Sequence, residues 1–304
     1  RESQTVASFI GEKESSAMRV LICCSINWER SLRTSVLVGL CLTLAGGGVL
    51  GACSSGKDLQ TLPTSGVFDY QLGGGYSPVD GQRPNVVVRD VTDFPEPRAY
   101  SICYINGFQT QPLKEAEFAN ELVLTDSSGT PITDPDWPDE QILDPSTESQ
   151  REGILAVIGP KIDACAAKGF DAVEIDNLDT FTRFGQIDRA GTIALATSYA
   201  TRAHDAGLAI GQKNTLELGH IGKDQIGFDF AITESCAVYD ECSSYRDTYG
   251  PHVLQIEYDD ELAEAGMTFE DVCSLPSRAP LTILRDHDLV PFGSPSYLYE
   301  RCSS

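Results

Sequence analysis

The chain has 304 residues, 41% of them hydrophobic and 22% charged, which suits one large folded domain and is unlike a disordered or membrane-embedded composition. Asp and Glu number 45 against 22 Lys and Arg, giving a formal charge of −23. Such a field repels nucleic acid and anionic lipid headgroups, so the composition argues against a polyanion-binding protein and leaves a polycation as the natural charged partner.

Arg30 and Arg33 precede an apolar run over 35–50, which ends in Leu50-Gly51-Ala52-Cys53 and then Ser54-Ser55-Gly56. This is the order of an export leader, and the run is shorter than the ~20 residues of a membrane span. The Leu-Gly-Ala-Cys tetrad resembles a bacterial lipobox, which implies lipidation at Cys53 and an extracytoplasmic chain that meets the membrane only through that anchor. The expected organisation is an upstream extension over 1–29, a leader over 30–52, a linker over 53–66 and one domain over 67–304. Met18 marks a later start than Arg1.

Past Cys53 six cysteines remain, namely Cys103, Cys165, Cys236, Cys242, Cys273 and Cys302, an even set that favours disulfides outside the cytoplasm. Spacing leaves the pairing open, but Cys236 with Cys242 is the first expectation, since a short local loop closes there. No Cys-x-x-Cys occurs and His204, His220, His252 and His287 are scattered, so neither metal nor cofactor is expected.

Short apolar runs predict strands at Val67 to Gln71, Asn85 to Asp90, Tyr100 to Asn106, Ala172 to Asp176, Ala209 to Lys213, Phe228 to Glu234, Val253 to Tyr258 and Leu281 to Asp286. Helical spacing appears at Ile154, Val157, Ile158, Ile162 and Cys165 before Gly169, and at Ile193, Ala196, Tyr199, Ala200 and Ala203 before Gly207. Pro160 should kink the first of these helices. Strand and helix alternating eight times over roughly 240 residues reads as an α/β fold, a single-domain (β/α)₈ TIM-type barrel, whose usual size is about 250 residues. The alternative is an open doubly wound sheet. No Gly-x-Gly-x-x-Gly joins a strand to a helix, which leaves a dinucleotide site without its motif. Residues 109–150 are irregular and rich in Pro, Asp and Thr, and loops that long are usually functional.

The strands finish in polar residues: Asp90, then Tyr104 and Asn106, then Asp176, Asn177 and Asp179, then Lys213 and Asn214, then Glu234, then Glu257 and Tyr258, then Arg285 and Asp286. In a barrel these ends converge on one rim, where barrel enzymes bind ligands. The fourth strand carries four carboxylates in nine residues, and alternation sets Glu174 and Asp176 on one face with Val173 and Ile175 on the other. Glu174 then reads as a buried charge that needs a partner such as Lys213. Many carboxylates, few bases and no phosphate-cradling loop favour glycoside hydrolysis, in which one carboxyl protonates the leaving oxygen and the other acts as nucleophile or base. Tyr70, Tyr104, Tyr239, Tyr258 and Trp137 are candidates to stack on sugar faces, and Asp144 of the long loop joins the candidate substrate contacts.

Several strings, in order, resemble glycoside hydrolase family 114, the endo-α-1,4-polygalactosaminidases. They are Cys103-Tyr104-Ile105-Asn106-Gly107, Gly169 to Asp179, Gly211-Gln212-Lys213-Asn214, Phe228 to Cys236 with Tyr239 and Glu241-Cys242, Glu257-Tyr258, and Ile283-Leu284-Arg285-Asp286. The resemblance runs from about Val67 to Cys302. It implies a TIM-type barrel that cleaves α-1,4-linked galactosamine polymers of exopolysaccharide, with the acidic pair on Asp176 and Glu234. A partly deacetylated polymer of that kind is cationic, in accord with the charge. This chain departs from the family in having Thr233 and Ser235 beside the second acid, Arg285 in place of a Lys and Ile175 in place of a Pro. The expected protein is a monomeric enzyme. A carbohydrate-binding surface lipoprotein without turnover, or a barrel hydrolase of another α-linked glycan, are the alternatives.

Overall fold

The computed structural model describes residues 59–76 and 83–303. The expected leader, Cys53 and the first part of the linker lie outside the described residues. Eight strands run parallel, each beside its predecessor: β1 (Phe68–Gln71), β2 (Val86–Asp90), β3 (Tyr100–Asn106), β4 (Ala172–Asp176), β5 (Ala209–Lys213), β6 (Phe230–Glu234), β7 (Val253–Tyr258) and β8 (Leu281–Arg285). All eight predicted strands are present, with ends shifted by at most two residues.

Alternation sorts the side chains into two cores. Phe68, Val88, Ile102, Ala172, Ala209, Ile232, Ile256 and Ile283, one from each strand, belong to one buried cluster that fills the barrel interior. Cys103, Ile105, Val173, Ile175, Ile210, Ala231, Val253 and Leu284 face the other way and pack under the helices with Ile158, Ile162, Leu195 and Tyr199. A slip of one residue in any strand would exchange the two faces, so burial on both sides pins the register.

The first long helix, α1 (Glu148–Lys168), begins in a capping box between Thr147 and Gln150 and ends at Gly169, whose left-handed φ of 94° lets its N–H reach the Cys165 and Ala166 carbonyls. It runs through Pro160 to Lys168 as one helix. After the short α2 (Thr180–Arg183) comes α3 (Arg189–Asp205), capped by the Asp188 carboxylate on the N–H groups of Ala190 and Gly191. A π-helical turn at Gly222–Ile226 joins β5 to β6. The later connections carry α4 (Cys242–Tyr249), then α5 (Asp259–Ala265) and α6 (Phe269–Ser274). The ring of helices departs from strict alternation. Residues 91–99 between β2 and β3 hold no helix, because that connection is shorter than the crossover a packed helix requires.

Side chains draw the last strand to the first. Arg285, fully buried on β8, donates to the Tyr70 carbonyl of β1 and to the Leu298 and Val290 carbonyls at 3.0 Å. A ninth strand, β9 (Tyr299–Arg301), pairs antiparallel with β8, and the Tyr299 hydroxyl donates to the Phe68 carbonyl over 2.7 Å. Three disulfides use all six cysteines of the domain. Cys103–Cys165 ties the outer face of β3 to α1, Cys236–Cys242 closes the expected local loop, and Cys273–Cys302 holds the segment after β9 to α6.

Candidate active site

One buried ammonium organises the C-terminal rim. Lys213 Nζ, at the end of β5, stands 3.2 Å from Glu174 Oε1, 3.4 Å from Asp176 Oδ1 and 3.2 Å from Glu234 Oε2, and donates to the Tyr70 hydroxyl at 3.1 Å. Burial opposes its charge, but Asp176 and Glu234, with Tyr70 and Glu174 behind them, hold the ammonium pKa well above its ordinary value. Glu174 lies deepest. Burial pushes its carboxyl up to about 7 against the pull of Lys213, and the Tyr70 hydroxyl donates to it over 2.7 Å.

Above this floor two carboxylates remain open to the cleft, Asp176 with 20% and Glu234 with 26% of the side chain exposed. Burial raises the Asp176 carboxyl, yet Lys213, the Tyr104 hydroxyl at 2.7 Å and the Asn177 N–H together outweigh it and leave the group below its ordinary value. Glu234 accepts from the Tyr258 hydroxyl at 2.5 Å and from Asn214 Nδ2 at 3.0 Å, while its own N–H donates to Asn214 Oδ1 at 2.8 Å. Each carboxylate therefore has one tyrosine, and the two share one lysine. The residues that follow are strained: Asn177, Asn214, Thr215 and Ser235 all have left-handed φ between 45° and 64°. Conformations that cost about 1–3 kcal/mol each persist where surrounding structure fixes them, and here they end three consecutive strands at the same rim.

The cleft above has a volume of about 620 Å³. Asp90, Asn177, Asp179, Lys213 and Tyr258 line it from the strand ends, and the 107–147 loop adds Asp134, Asp136, Trp137 and Glu140. Trp137 is 55% and Tyr239 62% exposed on the rim, so both rings offer apolar faces to a passing chain. His287 stacks on Tyr258, with centroids 4.5 Å apart and planes 7° off parallel. Arg183 is bound to Asp134 and lies 2.9 Å from Asp179. A polar, carboxylate-lined groove with two facing acids at its floor can carry out acid-assisted displacement at a sugar carbon.

Residues 52–304 match the glycoside-hydrolase family GH114. The chain belongs to that family. Among solved structures, Ega3 of Aspergillus fumigatus in complex with galactosamine superposes with a TM-score of 0.64 at 18% identity, over 81% of this chain and 98% of that one. The glycoside hydrolase domain of PelA from Pseudomonas aeruginosa superposes with a TM-score of 0.52 at 15% identity, over 76% and 98%. At these identities the likeness shows the fold, a TIM-type barrel. No curated protein matches the sequence. Membership in GH114 makes the protein a glycoside hydrolase.

The GH114 cleft gathers most of the expected residues: Asp90, Tyr104, Asp176, Asn177, Asp179, Lys213, Asn214, Glu234, Tyr239 and Tyr258 all line it. Five fall elsewhere. Tyr70 is wholly buried beneath the floor, where it orients Glu174 and Lys213. Asn106 also sits one layer down and donates to Glu140 Oε2 at 2.9 Å. Asp144 accepts from the Ser146 N–H and Gln150 Nε2 at 3.0 Å, which makes it part of the start of α1. Asp286 accepts from the Val290 and Leu298 N–H groups and pairs with Arg285, bracing the turn toward β9. Glu257 is on the outer face of β7, since its neighbour Tyr258 points inward. It accepts from the Ala237 N–H and Gln255 Nε2 behind the Cys236–Cys242 disulfide. Those two cysteines bond to each other, so with Glu257 they offer no thiolate to a metal.

Sequence reasoning passed over Asp134, Glu140, Arg183 and His287. Arg183 stands four residues after Asp179, the spacing at which helical side chains meet, and His287 is the second residue past the end of β8. Glu140 and Asp134 carried no local signal beyond their place in a long loop.

Proposed function

We propose that this GH114 enzyme cleaves α-1,4-linked, galactosamine-rich polysaccharide at internal bonds with retention of configuration, Asp176 serving as nucleophile and Glu234 as acid and base. The observation that carries this reading is the shared ammonium: Lys213 Nζ lies 3.4 Å from Asp176 Oδ1 and 3.2 Å from Glu234 Oε2. The two facing oxygens can be no further apart than those lengths laid end to end. That limit falls at the very bottom of the ~6.5–9.5 Å range that leaves room for an attacking water, so nearly all of that range is closed to this pair, while the ~5 Å separation of retaining pairs is within reach. Asp176, held ionised by Lys213 and Tyr104, suits attack on the anomeric carbon. Glu234 delivers its proton to the leaving glycosidic oxygen as that bond breaks and a glycosyl ester forms on Asp176. Glu234 then takes a proton from water, whose oxygen displaces Asp176 and restores the carboxylate.

Substrate class rests on charge and shape. The net charge of −23 and the acidic lining favour a cationic glycan, and the exposed rings of Trp137 and Tyr239 suit sugar faces. Ega3, which has the same fold, was solved holding galactosamine. The three disulfides support an oxidising compartment, in keeping with export and an anchor at Cys53. Digestion of a partly deacetylated α-1,4-galactosamine polymer, followed by proton NMR and product sizing, tests the proposal. Mixed-length oligomers bearing an initial α-anomer are expected. Terminal monomer release, a β-anomer first, or cleavage confined to an uncharged α-glucan would overturn it.

A further inference from the structure

Glu140 brings a charge into the cleft without a counter-charge of its own. Its Oε2 accepts from Asn106 Nδ2 at 2.9 Å, and Asn106 Oδ1 accepts in turn from the Gln109 N–H at 2.9 Å, so the loop acid is pinned to the end of β3. Its Oε1 has no hydrogen-bond partner among the described residues. The cations that line the cleft are ion-paired with other acids, Arg183 to Asp134 and Asp179, Lys213 to Glu174, Asp176 and Glu234, His287 to Asp260, and Arg183 offsets only part of the Glu140 shift. Burial, followed by repulsion from Asp176, pushes the Glu140 carboxyl up to about 7.

Most other acids of the cleft are better provided for, Glu261 of α5 excepted, whose Oε2 is buried without a hydrogen-bond partner among the described residues. Asp134 is bound by Arg183, Gln109 Nε2 and the Asp136 N–H, Asp179 is held by Arg183, and Asp90 accepts from Thr92 and Gln111. Asp136 and Asp288 are exposed, where water screens them. Glu140 differs from Glu261 in being pinned beside the reacting acid: its partner Asn106 pairs in register with Asp176.

We infer that Glu140 is a specificity-determining residue, which recognises the protonated amino group of a sugar bound next to the scissile bond and so selects deacetylated over N-acetylated residues. The inference rests on the galactosamine reading given above. An ammonium would supply the missing counter-charge through a charge-assisted hydrogen bond. An acetamide offers an N–H but no charge, and leaves the half-buried carboxylate uncompensated, which is how sites built around a polar partner reject analogues that lack it.

The test compares the parent enzyme with Glu140→Gln on defined α-1,4-galactosamine oligomers and on their N-acetylated counterparts at pH 7, where the sugar amines still carry charge. Glutamine keeps the acceptor for Asn106 and removes the charge. On deacetylated oligomers the variant is expected to raise KM about tenfold or more, with kcat within about twofold and a melting temperature no lower than the parent's. On acetylated oligomers it is expected to match or exceed the parent. The gap between parent and variant on the deacetylated substrate should shrink as pH falls through about 7 and Glu140 takes up its proton. Equal losses on both substrates, unchanged kinetics, or a gap independent of pH would overturn the inference. A parent inactive on both oligomers would instead overturn the galactosamine reading on which it stands.

Discussion

Lys213 Nζ stands 3.4 Å from Asp176 Oδ1, a cation with 2% of its side chain exposed set against a carboxylate that opens to the cleft. The same ammonium lies 3.2 Å from Glu174 below and 3.2 Å from Glu234 beside it. Three acids gathered at a barrel mouth would repel one another and protonate; one buried lysine keeps Asp176 ionised among them. In the proposed mechanism Lys213 is a positioning residue whose charge keeps Asp176 ionised.

Replacing Lys213 with Met leaves three carboxylates around an apolar side chain. Breaking such a buried arrangement typically costs about 3–5 kcal/mol, which urea unfolding would show. The pH–rate profile gives a readout that packing alone does not move. The Asp176 carboxyl lies below its ordinary value with Lys213 present, so without it the acidic limb of kcat/KM should shift to higher pH. An unshifted limb would count against the electrostatic role.

Glu257 should make stability fall as pH rises toward neutrality. Burial pushes its carboxyl from the ordinary 4.5 up to about 7, opposed by the Gln255 and Ala237 hydrogen bonds, so the folded chain holds this proton more tightly than the unfolded chain. The contribution is complete below about pH 4.5 and is lost as pH rises to about 7, amounting to roughly 3 kcal/mol. Glu257→Gln keeps an oxygen acceptor for Ala237 and removes the titration. Urea unfolding free energies of parent and variant should therefore diverge across that window, and parallel curves would refute the assignment.

The disulfides should rank by the length of chain they close. Cys103–Cys165 spans 62 residues, Cys273–Cys302 spans 29 and Cys236–Cys242 spans 6. Loop-closure entropy gives about 4, about 3.5 and about 2 kcal/mol in that order. Double Cys→Ala variants measured by urea unfolding check the ranking. A larger loss from the short loop would place its role in the loop after β6.

Trp137→Ala should weaken polymer binding with little effect on folding, because the ring is more than half exposed on the rim. Loss of one sugar-stacking face worth about 1 kcal/mol raises KM roughly fivefold. Michaelis kinetics on long chains, with melting temperature as control, would check it. An unchanged KM would remove Trp137 from the binding track.

The strands and their reactive ends were legible because alternation and burial are local patterns. Ala172 to Asp176 could be read residue by residue, and Lys213 was recognisable as the partner Glu174 required. The same rule, applied to β7, separates Glu257 from Tyr258: adjacent residues on a strand cannot both face the cleft. Strand-end polarity by itself does not make that distinction. Glu140 and Asp134 were hidden for another reason. Their loop is folded back by isolated bridges such as Gln109↔Ile142 and Val123↔Leu143, long-range pairings without periodicity in the sequence. Strand β9 was missed because it has only three residues, a half-buried Tyr299 and the exposed Glu300 and Arg301, which show no apolar alternation. The absent helix after β2 follows from connection length, a cue outweighed by the regular count of strands.

The central claim is that Asp176 and Glu234, joined through Lys213, perform the chemistry. The most direct measurement is release of reducing ends from the galactosamine polymer by Asp176→Asn and by Glu234→Gln, with Asp90→Asn as a cleft carboxylate outside the reach of Lys213. Both pair variants should keep the parental melting temperature within a few degrees and lose at least ~10²-fold in kcat, while Asp90→Asn stays within about tenfold of the parent. Parental kcat in either pair variant would contradict the account.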